Sequence, residues 1–391
     1  MLWGGLKPIR RRFIIDVGTL TALTYAALIL PSSTFAHKAT LALSCAVTFF
    51  TAGLTTRWTI SFPMVPIVLL QCSRYYLVLE GSWASLAIKI FSLLLIAKSF
   101  LLTILFPAVK INQVKGKYNV GIIDFFMPVE NFEHEHVTVR LLYPTLEKSV
   151  RVPYFDVEAG ARICKALMKV GAPPPLNTLG FMLNQWRLST VNGKRNATPH
   201  VPAAPNDENE KDGDETSGKE ESPKLPIAIY SHGLTGSAEI YSYQTISLAA
   251  AGTFVMSITH SDSSAIDVKR RDGSFISYDP KISQLAKKKE TFEESVRQRR
   301  WQVDYRAREL LATADALTKL NERNDDELKE IGVSFVDKLD LKDITVIGHS
   351  FGGATAINAA NMRPNMFMCC IAHDPAVDWC TDGKIQDICF C

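Results

Sequence analysis

An apolar run, Ile344-Thr-Val-Ile347, leads directly into Gly348-His349-Ser350-Phe351-Gly352-Gly353, and a small-residue stretch, Ala354–Asn361, follows. Few folds accept that order. A strand that stops on Gly-x-Ser-x-Gly and resumes as a helix must turn so tightly that a Cβ on either side of the serine would clash. The turn lifts a hydroxyl above the carboxyl end of the strand, where it is exposed for nucleophilic attack. Ser350 is the candidate nucleophile.

The surrounding chain fits a sheet that could carry such a turn. Tyr118–Met127 and His136–Tyr143 are runs of β-branched and aromatic residues, the second ending at Pro144. Pro226–Tyr230, Thr253–Ile258 and Phe367–Ala372 are further strand signals, and residues from Phe292 to Leu320 carry a helical period through Leu310, Ala314 and Leu317. Strands alternating with helices predict a doubly wound, mostly parallel sheet, the α/β-hydrolase fold, over residues 117–391.

That fold needs partners for the serine. One oxyanion N–H comes from the residue after the nucleophile, Phe351, and the other from the loop after an earlier strand. Ser231-His232-Gly233-Leu234 is such a loop, which makes Leu234 the second donor and gives His232 the structural task of turning it. The acid follows the serine at the end of the next strand. Asp374 fits, with Asp378 as the fallback. The base should come last, yet the histidines stand at 37, 134, 136, 200, 232, 260, 349 and 373, so none follows Asp374. His349 lies inside the turn, His373 lies beside the acid, and His260 follows an earlier strand, where it shapes the site. The C-terminus therefore reads as truncated, alternatively spliced or wrongly joined, ending in the cysteine-rich stretch Cys380 to Cys391.

The first quarter differs in kind. Phe13–Leu30, Ala39–Thr55, Trp58–Leu79 and Trp83–Phe106 are each close to the roughly 17–25 residues that span a bilayer. Residues 1–107 are thus expected to form a multi-pass helical membrane region of about four spans. Pro63, Pro66 and Arg74 weaken the third and Lys89 and Lys98 the fourth, since a mid-helix lysine costs about 2.5–3.5 kcal/mol on insertion. Lys7, Arg10, Arg11 and Arg12 favour a cytoplasmic N-terminus, and four spans would return the chain to the cytosol at Lys110, Lys115 and Lys117. Three spans would instead put the large domain in the lumen, where the sequon Asn196-Ala197-Thr198 would be usable.

Charge and cysteines exclude other classes. Residues 108–391 carry 34 basic and 38 acidic side chains, which leaves no basic excess for nucleic acid. Eight scattered cysteines show no Cys-x-x-Cys pair, so neither a zinc module nor a disulfide framework is indicated. His134-Glu135-His136 places two imidazoles on one strand face but lacks a third ligand, so no metal and no cofactor is expected. Residues 196–224 read as a disordered acidic insert, since Asp207–Glu221 holds eight acids, two lysines and no large apolar residue.

Several pieces in order resemble the plasma-type (group VII) platelet-activating factor acetylhydrolases. They are Tyr118-Asn-Val-Gly-Ile-Ile-Asp124, Arg140-Leu-Leu-Tyr-Pro144, Tyr230-Ser-His-Gly-Leu234, His260-Ser-Asp-Ser-Ser264, Val296-Arg-Gln-Arg-Arg300 and Ile344–Thr355. The resemblance covers about 117–378. It implies calcium-independent removal of short or oxidised sn-2 acyl groups from phospholipids, with Ser350 as nucleophile, Asp374 as acid, and Leu234 and Phe351 as oxyanion donors. Phospholipid and membrane are the partners it implies. Three features depart from the family: Ser261 replaces an arginine, the apolar N-terminal region is extra, and the histidine is absent. Two other readings stay open, a different α/β-hydrolase esterase or thioesterase and a membrane protein whose hydrolase domain is dead. Oligomeric state is not legible.

Overall fold

The computed structural model describes residues 6–8, 35–49, 109–111, 116–171, 189–203, 222–323 and 325–380, with isolated helical positions between 19 and 97. The chain divides into two compact units, Met1–Asn112 with Gly160–Thr190, and Gln113–Ala159 with Val191–Cys391. In the first, β1 (Leu6–Pro8) pairs antiparallel with β2 (Val109–Ile111). Helix α1 (Phe35–Phe49) covers the start of the second apolar stretch and begins four residues before it. The stretches Phe13–Leu30, Trp58–Leu79 and Trp83–Phe106 fall almost wholly outside the described residues. Among the described residues no helix is long and apolar enough to cross a membrane.

The second unit holds the sheet. Its strands are β3 (Asn119–Pro128), β4 (His136–Thr145), β5 (Val150–Pro153), β6 (Thr190–Arg195), β7 (Leu225–Ser231), β8 (Phe254–Thr259), β11 (Leu339–His349) and β12 (Cys369–His373). A small hairpin of β9 (Asp267–Lys269) and β10 (Phe275–Ser277) lies outside it. Helix α2 (Val157–Gly171) lies mostly in the first unit, and α3 (Ser242–Ala251), α4 (Lys281–Leu285), α5 (Phe292–Glu322), α6 (Asp326–Glu330) and α7 (Phe351–Met362) complete the second.

Spatial order is β6-β3-β4-β8-β7-β11-β12. Strand β4 runs against both neighbours, and the other steps are parallel. Phe254–Thr259, antiparallel to β4 and parallel to β7, is buried at every position, as a central strand covered on both faces must be. Ala307, Leu310, Ala314 and Leu317 of α5 pack with Ala356 and Ile357 of α7 into one core with the sheet. The parallel strands end together at Ser231, Thr259, His349 and His373, so one sheet edge collects the residues that the sequence singled out.

The insert is shorter than expected. Ala197 is fully buried, its carbonyl accepts Tyr143 Oη at 2.7 Å, and His200 N donates to Pro144 O at 2.9 Å. Order thus continues through residue 203, and residues 204–221 lie outside the described set.

Two of the family-like segments meet across β3 and β4. Asp124 stands opposite Arg140, which is buried and clasps the carboxylate through Nε at 2.6 Å and Nη2 at 3.1 Å, while Arg195 Nη1 adds a third contact at 2.6 Å. Burial pushes the Asp124 pKa up, but the two arginines more than reverse it and hold it at about 2. Asp124→Asn removes the negative charge that Arg140 and Arg195 share, so we expect urea unfolding to show a loss of about 1 kcal/mol. The pH sign follows from the depressed value. The carboxylate's contribution is complete above about pH 4 and is lost as pH falls through about 2. A third of the carboxylate surface meets solvent, which screens that contribution to about 1 kcal/mol.

Candidate active site

Ser350 sits at the junction of β11 and α7 with φ +54° and ψ −117°, a strained conformation for a residue with a Cβ. Its neighbours explain how the strain is held. A Cβ on Gly348 would lie 2.0 Å from Gly352 O, and one on Gly352 would lie 2.1 Å from Ser231 O. Neither position tolerates a side chain. Ser350 N donates to His373 O at 2.9 Å and Ser350 O accepts from Ala376 N at 3.0 Å, so the loop after β12 grips the serine's backbone from both sides. The residue keeps partial solvent exposure.

The loop Ser231-His232-Gly233-Leu234 lies against this turn. Tyr241 Oη accepts Gly233 N–H at 3.1 Å and bonds His349 Nδ1 at 2.7 Å, tying the loop to the residue before the serine. Leu234 packs with Phe351 and Trp379, and the Phe351 and Trp379 rings meet edge to face at 5.4 Å. Among the described residues, neither the Leu234 nor the Phe351 amide has a hydrogen-bond acceptor. Two unengaged N–H groups near a partly exposed serine are what a developing oxyanion requires.

The structure places Asp374 directly after β12, with φ +44° and an exposed side chain. It lies within the 373–376 loop that grips Ser350. Asp378 is one turn further, in the short 3-10 segment Val377–Trp379. The base remains missing: among the described residues no histidine bonds to Ser350 or Asp374. His349 is held by Tyr241, and His373 projects from an exposed strand end.

Both ring nitrogens of His260 are engaged elsewhere than at Ser350 or Asp374. It is fully buried, with Nε2 at 2.8 Å from Ser231 Oγ and Nδ1 at 2.5 Å from Glu309 Oε2. Burial and the nearby Arg306 charge hold both His232 and His260 in the neutral form. Burial raises Glu309 to about 7, even though hydrogen bonds from Ser261 and the charge of Arg306 favour its ionised form. Ser261, the departure from the family's arginine, spends its hydroxyl on Glu309 Oε1 at 2.6 Å.

His134 is not on the strand, and it accepts from Arg270 Nη2 at 2.8 Å, while His136 accepts from Arg271 Nη1 at 2.5 Å. Two guanidinium groups occupy the lone pairs a cation would need. Among the described residues no cluster suits a metal. A cavity of about 930 Å³ opens beside Ser261, Trp301, Gln302 and Tyr305, but Ser350 does not line it.

Sequence reasoning missed Tyr241, Arg306 and Glu309. A signal for the last two existed. Arg299, Gln302, Arg306 and Glu309 recur at helical spacing on α5 and are all buried, so a polar row runs along its core-facing side.

With the geometry in place, comparison with known proteins becomes informative. Residues 206–380 match the profile of "Platelet-activating factor acetylhydrolase, isoform II". Over this segment the chain is similar to the platelet-activating factor acetylhydrolase family. A platelet-activating factor acetylhydrolase of Canis lupus familiaris is 30% identical over 162 residues, covering 39% of this chain and 35% of the dog protein. That of Bos taurus is 26% identical over 274 residues, covering 68% of this chain and 55% of its own length. The chain thus spans about a third to about half of these acetylhydrolases. A solved ferulic acid esterase from Streptomyces cinnamoneus is 15% identical at a TM-score of 0.38, covering 66% of this chain and 65% of its own, a likeness too loose to build on.

Proposed function

We propose that this chain carries the nucleophile, the acid and the oxyanion donors of a serine-dependent phospholipid esterase that removes short or oxidised sn-2 acyl groups without metal or cofactor. The observation that carries the reading is Ser350, strained at the turn between β11 and α7 beside two unengaged amides within a segment of acetylhydrolase sequence. Attack by Oγ on the ester carbonyl would develop a negative oxygen between the Leu234 and Phe351 N–H groups, and collapse would expel the lysophospholipid alcohol. Asp374 would orient the histidine that moves the proton. That histidine is not among the 391 residues, so the complete cycle belongs to the site once a base is supplied. The apolar character of residues 13–107 supports a membrane region, and Lys7, Arg10, Arg11 and Arg12 support a cytosolic side for the hydrolase domain.

The second reading is a membrane protein whose hydrolase domain does not turn over. Acyl-chain profiling with imidazole as an external base separates them. We expect acetyl and short oxidised sn-2 chains on phosphatidylcholine to be released at least tenfold faster than palmitoyl chains. Equal rates for all lengths, or preference for a thioester, would favour a general esterase or thioesterase. No release from any ester would favour the second reading.

A further inference from the structure

The carbonyl of Gly233 and the amide of Leu234 are two ends of one planar trans peptide, so they point in opposite directions. Whatever fixes the carbonyl therefore aims the N–H. Gly233 O accepts from His232 Nδ1 at 2.7 Å and from Gly236 N at 3.0 Å. His232 can donate from Nδ1 because its Nε2 is occupied as an acceptor, taking the His260 backbone N–H at 3.1 Å. That bond selects the tautomer.

His260 is held in turn. Its Nδ1 meets Glu309 Oε2, its Nε2 meets Ser231 Oγ, and Glu309 Oε1 also accepts the Ser261 N–H at 3.2 Å. Ser231, His232, His260 and Glu309 are all at most 1% exposed, so no water competes for these bonds. Glu309 lies on α5 and the donor amide lies beyond β7, with two imidazoles between them.

We propose that Glu309, His260 and His232 form a buried hydrogen-bond train that sets the plane of the Gly233–Leu234 peptide and so aims the Leu234 amide at the oxyanion. Glu309 and His232 are positioning residues in this arrangement, and neither touches substrate. The proposal rests on the reading of Ser350 as nucleophile and Leu234 as donor.

The test is the rate at which a fluorophosphonate labels Ser350 in the full chain with imidazole present, resolved into a maximal rate and a half-saturating concentration. One oxyanion donor is worth about 10²–10³ in rate. Glu309→Ala should lower the maximal rate about 100-fold with the half-saturating concentration unchanged, and Glu309→Gln, which keeps an acceptor for Ser261, should recover to within tenfold of wild type. A thermal melt confirms that each variant is folded. If Glu309→Ala gives no cooperative melt, His232→Ala is read in the same way. Wild-type rates in these variants, or a loss confined to half-saturation, would overturn the train while leaving Ser350 as nucleophile. A wild-type protein unlabelled at Ser350 would instead sink the reading beneath it, and the train with it.

Discussion

Hydrolysis of a short-acyl phosphatidylcholine by these 391 residues alone is expected to run about 10⁶-fold below a complete serine triad. Histidine takes the serine's proton and returns it to the leaving alcohol, and members of such a triad act as a unit. Removing one leaves only what binding and the oxyanion hole supply, a residual of about 10³–10⁴ over water. An unusual corollary follows for Ser350→Ala. In the chain without a base it should change that residual by less than about tenfold, because the nucleophile is already idle. With saturating imidazole the two proteins should separate, the wild type rising and the alanine variant staying flat. Steady-state release of acetate, with and without imidazole, measures both. Full turnover without imidazole would mean that His349 or His373 moves to serve as base.

The second large effect lies in Arg306. It is completely buried, with Nε bonding Asp262 Oδ2 at 3.2 Å and Ser264 Oγ at 2.8 Å, and Nη1 bonding His232 O at 2.8 Å. Its guanidinium also lies 4.6 Å over the centre of the Phe351 ring. One side chain thus touches segments that carry both oxyanion donors. Arg306→Met keeps much of the volume but leaves a buried carboxylate without its cation, which costs about 3–5 kcal/mol. In a unit of this size that lowers the melting temperature by roughly 10 °C. Arg306→Lys should fall between, because an ammonium keeps the charge but loses the fork that reaches Asp262 and His232 together. A methionine variant melting with wild type would show that the Asp262–Arg306 pair carries no net stability.

How much of this was written legibly in the chain varies by element. The turn at Ser350 was plain because its two glycines answer a steric demand that no other arrangement makes. Strand β8 was plain because six buried positions need six apolar or small residues. Pro144 misled the reading of β4, which continues to Thr145. The strand's ladder to β8 covers only Thr138–Leu142, so the N–H that proline lacks has no partner to miss. Strand β6, Thr-Val-Asn-Gly-Lys-Arg, carries little β-propensity of its own. It forms where Lys194 and Arg195 register with Gly121 and Ile122, and the Arg195–Asp124 pair pins it there. Glu309 was hidden for the opposite reason. On a heavily charged helix one more acid looks solvated, and only the third dimension shows it buried beside two imidazoles. Tyr241 gives no local signal, since its link to His349 crosses 108 residues.

The proposed site makes Ser350 a nucleophile already set beside two amide donors and lacking only a base. Mass-spectrometric mapping of fluorophosphonate adducts on the intact chain, as a function of imidazole concentration, tests it most directly. A single adduct is expected, on Ser350, whose rate is slow alone and climbs with neutral imidazole. Adducts on another serine, or none on Ser350 at any imidazole concentration, would contradict it.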